Sequence, residues 1–351
     1  MSTAAPSEEL GAREPADGKG PGFMVVAKKE FKASLLKHLR SESETKASRP
    51  LTTARTTEND DAAHGKCAGR GGGKVSRREL KGGLEGFVLD NVLSEKECDS
   101  LLEGLASDGH KFTFWNPEAP NRKDTRNVDT VEVYDETLAS EIWSRVKDNV
   151  TKIIEIPQDN DTWEYGLEGT WVACGINPRL LFARYSPGGH FSPHTDGHVV
   201  IDFNHRTLHS VIIYLNTCAE GGATHIFHTA DMKSKKFVQD SKGRFRFAKD
   251  KIADSGIPKA GSMLSFSQHL MHEGEPVGEG CMKYIIRTDV MYKRTPAVCD
   301  DSRGIEAYKV FQQASEAEGR GELVKAFDLY SKVSRLSEKL ARMLNIYDGG
   351  A

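Results

Sequence analysis

From residue 180 onward the apolar positions fall in short β-type runs at 180–185, 199–203, 209–216, 224–227, 262–266 and 283–292, separated by Gly, Pro and Asn. Many short strands between turn residues predict a sandwich, barrel or jelly roll. Ahead of them, Phe87, Val88 and Leu89 read as a strand, and Ser94-Glu95-Lys96-Glu97 has the form of a capping box opening a helix. That helix carries Cys98, Leu101, Leu102 and Leu105 on one face. A second helix is predicted over 138–153, where Leu138, Ile142, Val146, Val150 and Ile153 recur at helical spacing. After Arg303 the 3.6-residue period returns through Ala307, Phe311, Ala314, Leu323, Ala326, Phe327, Tyr330, Val333, Leu336 and Leu340. The expected form is a helical hairpin turning at Gly319 and Gly321, similar to one tetratricopeptide-like unit and needing a body to pack on.

Residues 1–83 differ in texture. They are rich in Gly, Ser, Thr, Ala and Lys and have too few large apolar residues to offset the entropy of ordering, so a mostly disordered leader is expected. One island interrupts it: Phe23, Ala27, Phe31, Leu35 and Leu39 predict an amphipathic helix over 23–40, with Lys28, Lys29, Lys32, Lys37 and Arg40 among them. Such a helix can lie on an anionic membrane or dock a partner, and more commonly rests on its own protein. The expected division is therefore a basic leader at 1–83, a folded domain at 84–296 and a helical C-terminal extension at 303–346.

Charge sharpens the division. The leader holds 16 Lys+Arg against 11 Asp+Glu and the remainder 32 against 40, within a net charge of −3 over 351 residues. The asymmetry marks a tail and a body, and is too weak for a nucleic-acid-binding face. No run approaches the roughly 18 apolar residues of a membrane span, and the first ten residues lack an apolar signal core. Cys67, Cys98, Cys174, Cys218, Cys281 and Cys299 include no C-x-x-C pair, which fits reduced thiols. An intracellular soluble protein, cytoplasmic or nuclear, is expected.

Within the β-rich part, His194 and Asp196 stand two apart, so an extended strand would put both on one face. Two imidazoles and a carboxylate on one face of an octahedral ion are the ligand set of non-haem Fe(II) oxygenases, and such a site needs a second His. His272, at the end of an apolar strand, is the best candidate. His269 is its rival. Beyond it, Lys283 and Arg287 share a strand face, and a cation aimed into a barrel can hold the far carboxylate of a dicarboxylate. Of the other nearby histidines, His190, His198, His205, His209, His225 and His228 are expected at the surface or in hydrogen bonds. Asp202 and Glu273 are expected to be solvated or to lie behind the ligands, Glu273 orienting His272. Trp115, Trp143, Trp163 and Trp171 are expected in the core or at a rim, and residues 112–116 and 122–129 form a loop placed near the site mouth.

On these residues the chain resembles the prolyl-4-hydroxylase-like family of 2-oxoglutarate dioxygenases, over about 86–294. The matching pieces are Phe87-Val-Leu-Asp-Asn-Val-Leu-Ser-Glu-Lys-Glu-Cys98, Arg184-Tyr185 with Pro187-Gly188, and the His194-x-Asp196 pair. Tyr214-Leu-Asn216 with Gly221-Gly-Ala-Thr224 follows, then His272-x-Gly274-x-Pro276-Val277 with Gly280 and Lys283. The resemblance implies a mainly β double-stranded β-helix with flanking helices, Fe(II) held by His194, Asp196 and His272, and 2-oxoglutarate anchored by Lys283 near Tyr185. It also implies O2 as co-substrate, succinate and CO2 as products, and L-ascorbate as reductant. Two departures stand out. The lysine falls one residue later after the distal His than in the collagen-type pattern, and Arg287 occupies a place where that family has a small or hydroxylated residue. The anchor is thus open between Lys283 and Arg287, and the other cation is expected to contact substrate or an acidic neighbour such as Asp289.

The implied activity is hydroxylation of a protein side chain, with proline first among substrates. No peptide-binding module or secretion signal of the collagen enzymes is visible, so collagen is a poor candidate. The alternatives are a non-catalytic jelly-roll scaffold that recruits a partner through the leader or the C-terminal helices, or an oxygenase acting on a small molecule or nucleic acid. Nucleic acid is not expected, since Lys293 and Arg294 do not reproduce the arginine pair of the repair demethylases.

Overall fold

The computed structural model describes residues 74–118, 120–228 and 237–346, and the expected helix at 23–40 lies outside them. The described chain divides into two compact units, 74–300 and 301–346. The larger begins with β1 (Ser76–Glu79), β2 (Gly86–Asp90), α1 (Glu95–Ser107), β3 (Thr113–Phe114), β4 (Arg126–Asn127) and β5 (Asp129–Tyr134). There follow α2 (Glu136–Val146), β6 (Ile153–Ile156), β7 (Gly169–Ile176), β8 (Arg179–Tyr185), β9 (His190–His194), β10 (Val200–Asp202) and β11 (His205–Tyr214). The rest comprises β12 (Thr224–Phe227), β13 (Phe237–Gln239), β14 (Phe245–Phe247), β15 (Ile252–Gly256), β16 (Met263–Ser267), β17 (His272–Gly274) and β18 (Lys283–Arg294).

Eight strands form the centre. In the larger sheet β8, β18, β11 and β16 lie side by side, and in the smaller sheet β9, β17, β12 and β15 do so in the corresponding order. β8 leads into β9, β11 into β12, β15 into β16 and β17 into β18. Each connection therefore passes from one sheet to the same place in the other, which is a double-stranded β-helix, the expected jelly roll. Ile212, Tyr214, Leu264, Phe266 and Ile285 of the larger sheet share a buried cluster with Ile226 of the smaller one. Val211, Ile213, Ile286 and Val290, on the opposite face of the larger sheet, pack in a second cluster with Leu101 and Leu105 of α1 and Leu138 and Ile142 of α2. A sheet buried on both faces reads as a continuous apolar run, which is why 209–216 was legible as a strand but not as to which side faced inward.

The capping box forms as expected: Ser94 Oγ accepts from Glu97 N at 3.2 Å and Ser94 N donates to Glu97 Oε2 at 2.8 Å. Glu97 also accepts from Arg145 of α2 at 2.8 Å, tying the two helices. The second helix is shorter than its periodicity suggests. It stops at Val146, and Ile153 instead opens β6, which pairs with β7. Ile153 is 56% exposed while Ile154 and Ile156 are buried, the alternation of a strand. Sheet pairing outweighs the helical period because β7 satisfies the backbone that a helix would otherwise have to satisfy. The loops expected at 112–116 and 122–129 contain two short strands, β3 pairing with β5 of the larger sheet and β4 with β9 of the smaller. The smaller unit contains α3 (Ser302–Gly319), α4 (Leu323–Leu336) and α5 (Glu338–Met343), with Gly321 at φ 75° in the first turn. The helical hairpin is thus present where the period placed it.

The edge of the larger sheet crosses the boundary expected at residue 83. β1 pairs with β2 from Ser76↔Asp90 to Glu79↔Phe87, Arg77 covers the Phe87 ring at 4.0 Å, Arg78 pairs with Asp254 at 2.6 Å, and Leu80 is buried. Truncation is expected to separate leader from fold. A chain starting at residue 74 should match the full chain in urea unfolding, whereas one starting at residue 84 should lose at least the roughly 2 kcal/mol of Leu80 burial. Equal midpoints for the two truncations would show that β1 contributes nothing.

Candidate metal centre

β9 and β17 are neighbours in the smaller sheet, in a register that sets His194 opposite His272. Their ring centroids are 4.2 Å apart. Asp196, just beyond the end of β9, lies between them: Oδ1 is 3.7 Å from His194 Nε2 and Oδ2 is 3.5 Å from His272 Nε2. One donor atom from each residue falls within 4.8 Å of the others, the one such His/Asp/Glu/Cys group among the described residues. His194 Nδ1 donates to Ser192 O at 2.8 Å and His272 Nδ1 to Leu270 O at 2.9 Å. Both protons are thereby fixed on the outer nitrogens, and both Nε2 lone pairs point into the cluster. Burial pushes His194 down to about 3, with the charge of His272 adding to the effect against the pull of Asp196. Burial likewise lowers His272. Burial alone would raise Asp196, but Arg287, His272, His194 and the Ser210 hydroxyl together hold it well below the usual carboxylate range. Two neutral imidazoles and an ionised carboxylate, converging with unused lone pairs, fit a divalent metal of the Fe(II) class.

His269 takes no part in this cluster. Its ring packs edge-on against Trp163 at 4.1 Å. Of the six other histidines near the site in sequence, five are engaged elsewhere, His190 with Asp124 O, His198 with Glu164, His209 with Glu85, His225 with Ser255 and His205 with Cys174, and His228 is exposed. Glu273 is neither solvated nor bonded to His272. It is fully buried and held by Arg246 at 2.5 Å, while the His272 ring is oriented by Leu270 O. Asp202 is exposed and accepts from Asn204 N at 2.7 Å.

The two cations of β18 have different surroundings. Lys283 is buried opposite Tyr185, with Nζ 5.1 Å from the Tyr185 ring centroid and 5.5 Å from that of Tyr214. It has no carboxylate within ion-pair distance among the described residues. Burial pushes it down to about 8, against weaker opposing pulls from Cys218 and Glu275. Arg287 instead meets acids on both arms: Nη2 is 3.0 Å from Asp196 Oδ2 and Nη1 is 2.6 Å from Asp289 Oδ1. The expected contact with Asp289 is present. Tyr185 is buried, and burial raises its phenol.

Three contributors were not singled out from the sequence. Ser210 donates to Asp196 Oδ2 at 2.6 Å, and Gln268 accepts from Asp196 N at its carbonyl, 3.2 Å away. A polar residue on the inward face of an apolar strand was the available signal for Ser210. Arg126, in the loop expected near the mouth, lies over Phe191 at 4.5 Å and Trp115 at 4.9 Å, and Phe191 stacks on His194 at 3.5 Å. Arg126 thus joins that loop to the metal-facing side of β9.

Residues 180–288 match the family model of the 2OG-Fe(II) oxygenase superfamily. No curated protein matches the chain. Among solved structures the chain is similar to a prolyl-4-hydroxylase from Pseudomonas putida, at 15% identity over 60% of this chain and 94% of that one, with a TM-score of 0.36. It is also similar to a viral collagen prolyl hydroxylase from Paramecium Bursaria Chlorella virus-1, at 17% identity over 60% and 97%, with a TM-score of 0.35. A third is a prolyl hydroxylase from Trichoplax adhaerens in complex with a hypoxia inducible factor peptide, at 17% identity over 58% and 81%, with a TM-score of 0.36. No helix of the described residues is long and apolar enough to cross a membrane.

Alanine at His194, Asp196 or His272 is expected to abolish binding of one equivalent of Fe(II) or Co(II) while leaving the circular dichroism of the fold unchanged. His269→Ala should bind metal within a few-fold of the parent. Loss of metal in His269→Ala together with retention in His272→Ala would reverse the choice of distal ligand.

Proposed function

We propose, for a chain that carries a 2-oxoglutarate- and Fe(II)-dependent oxygenase domain, that it hydroxylates a protein side chain, with proline the first candidate. The observation that supports the oxygenase chemistry is the convergence of His194, Asp196 and His272 inside the matched segment, with buried Lys283 on β18 having no acidic partner within ion-pair distance among the described residues. His194 Nε2, Asp196 and His272 Nε2 would hold Fe(II), and Lys283 beside Tyr185 would pair with the far carboxylate of 2-oxoglutarate. Once bound, iron, 2-oxoglutarate and O2 supply the oxidising chemistry, with succinate and CO2 released and ascorbate keeping the iron reduced. The chain's own part is positional. Phe191 closes one side of His194, Tyr185 and Tyr214 flank Lys283 with aromatic rings that exclude water, and Arg126 lies between Trp115 and Phe191 on the side of His194. The leader and the helical extension are read as recruiting elements, outside the chemistry.

Purified protein with Fe(II) and 2-oxoglutarate is expected to release succinate even without substrate, and to add one oxygen to candidate peptides as read by mass spectrometry. No succinate under any peptide would favour the binding-protein alternative. Lys283→Ala should weaken 2-oxoglutarate by roughly 2 to 5 kcal/mol, about thirtyfold or more in its dissociation constant.

The pH dependence follows from the same lysine. Because burial holds Lys283 at about 8 in the free protein, its ammonium is present below that pH and lost above it. The 2-oxoglutarate dissociation constant should therefore be flat below pH 8 and rise about tenfold per pH unit beyond it, by calorimetric titration. A constant unchanged up to pH 9.5 would remove Lys283 as the anchor.

A further inference from the structure

Resting on the triad as a divalent-metal site, we propose that Arg287 is a positioning residue for that site, clamping Asp196 Oδ2 so that the carboxylate keeps Oδ1 for the ion, and is not a cosubstrate anchor. Asp196 Oδ2 receives both the Arg287 guanidinium at 3.0 Å and the Ser210 hydroxyl at 2.6 Å. Oδ1 has no hydrogen-bond donor among the described residues and faces His194 Nε2 at 3.7 Å. The two oxygens are thus already inequivalent before any ion arrives.

The guanidinium is itself fixed. Its second arm is on buried Asp289 at 2.6 Å, and Arg287 Nη2 also reaches Ser210 Oγ at 3.0 Å. Asp289 is in turn held by Gln268 Nε2 at 3.0 Å and Asn177 Nδ2 at 3.1 Å. Gln268 closes the loop, since its Nε2 approaches Gly197 O at 3.3 Å and its carbonyl accepts from Asp196 N. One network therefore fixes the side chain of Asp196, the backbone on either side of it, and the segment that runs into His272. Swinging Arg287 onto a cosubstrate would break two ion pairs and leave two acids without their cation, a costly exchange in a buried site. A planar fork is suited to bridging two carboxylates, and a single ammonium is not.

The test uses the full chain and Co(II) alone as the probe. Charge by itself predicts that removing a cation beside a divalent ion tightens metal binding, whereas loss of the clamp predicts weakening. Arg287→Met is expected to weaken Co(II) binding by about 10- to 100-fold and to alter its d–d absorption, because an outer partner of a ligand tunes both affinity and geometry. Arg287→Lys should recover part of the affinity. Ser210→Ala, which removes only the second partner of Oδ2, should change the spectrum in the same direction with a smaller loss, and stands in if Arg287→Met does not fold. Unchanged or tighter Co(II) binding with the parent spectrum would overturn the proposal. So would weakened 2-oxoglutarate binding at unchanged Co(II) affinity, which would return Arg287 to the cosubstrate. Failure of the underlying site is distinguishable: the parent protein would then bind no Co(II), or would bind it equally well after Asp196→Ala.

Discussion

The pairing of β9 with β17 is the contact on which the site depends. It sets His194 against His272 from distant parts of the chain, and the carbonyls of Ser192 and Leu270, on the same two segments, fix both ring tautomers. The smaller sheet can hold that register because the jelly-roll connections return each strand to a defined place, and because the larger sheet is braced from behind by α1 and α2. A slip of one residue in β17 would turn His272 outward and Glu273 inward, reversing the chemistry of the cavity.

That same alternation explains Glu273. On the outer face of β17 it is buried under the β13–β14 hairpin, accepting from Arg246 at 2.5 Å and from Phe247 N at 3.2 Å, while Phe247 packs on Phe227 at 4.3 Å. The β13–β14 hairpin thus covers the back of the strand that ends the metal triad. An acid adjacent to a ligand is not automatically its orienting partner; here it secures the strand, and a backbone carbonyl orients the ring.

Electrostatics inside the barrel divide between two cations on one strand. Lys283 and Arg287 lie on the same side of β18 by the period of two, yet β8 and β11 bring aromatic rings to the first, whereas Asp196 and Asp289 come to the second. The lysine is left as a desolvated charge with no carboxylate within ion-pair distance among the described residues. The arginine is committed, and its field helps keep Asp196 ionised despite burial.

Much of this was written in local sequence. The capping box of Ser94 and Glu97, the strands at 180–185 and 224–227, the helical hairpin around Gly321 and the three ligand candidates follow from patterns spanning a few residues, because caps, alternation and turn chemistry act at that range. What the sequence could not decide were matters of partnership. Ile153 belongs to a strand because β7 is there to pair with it, and Ser76–Glu79 belongs to the fold because β2 offers an edge. His272 was the better candidate from the sequence, but only the β9–β17 register sets it opposite His194, and the different surroundings of Lys283 and Arg287 likewise come from what lies across the sheet. Spacing along a chain places a side chain on a face, but only tertiary pairing supplies the neighbours that fix its protonation, its charge partner and so its chemistry.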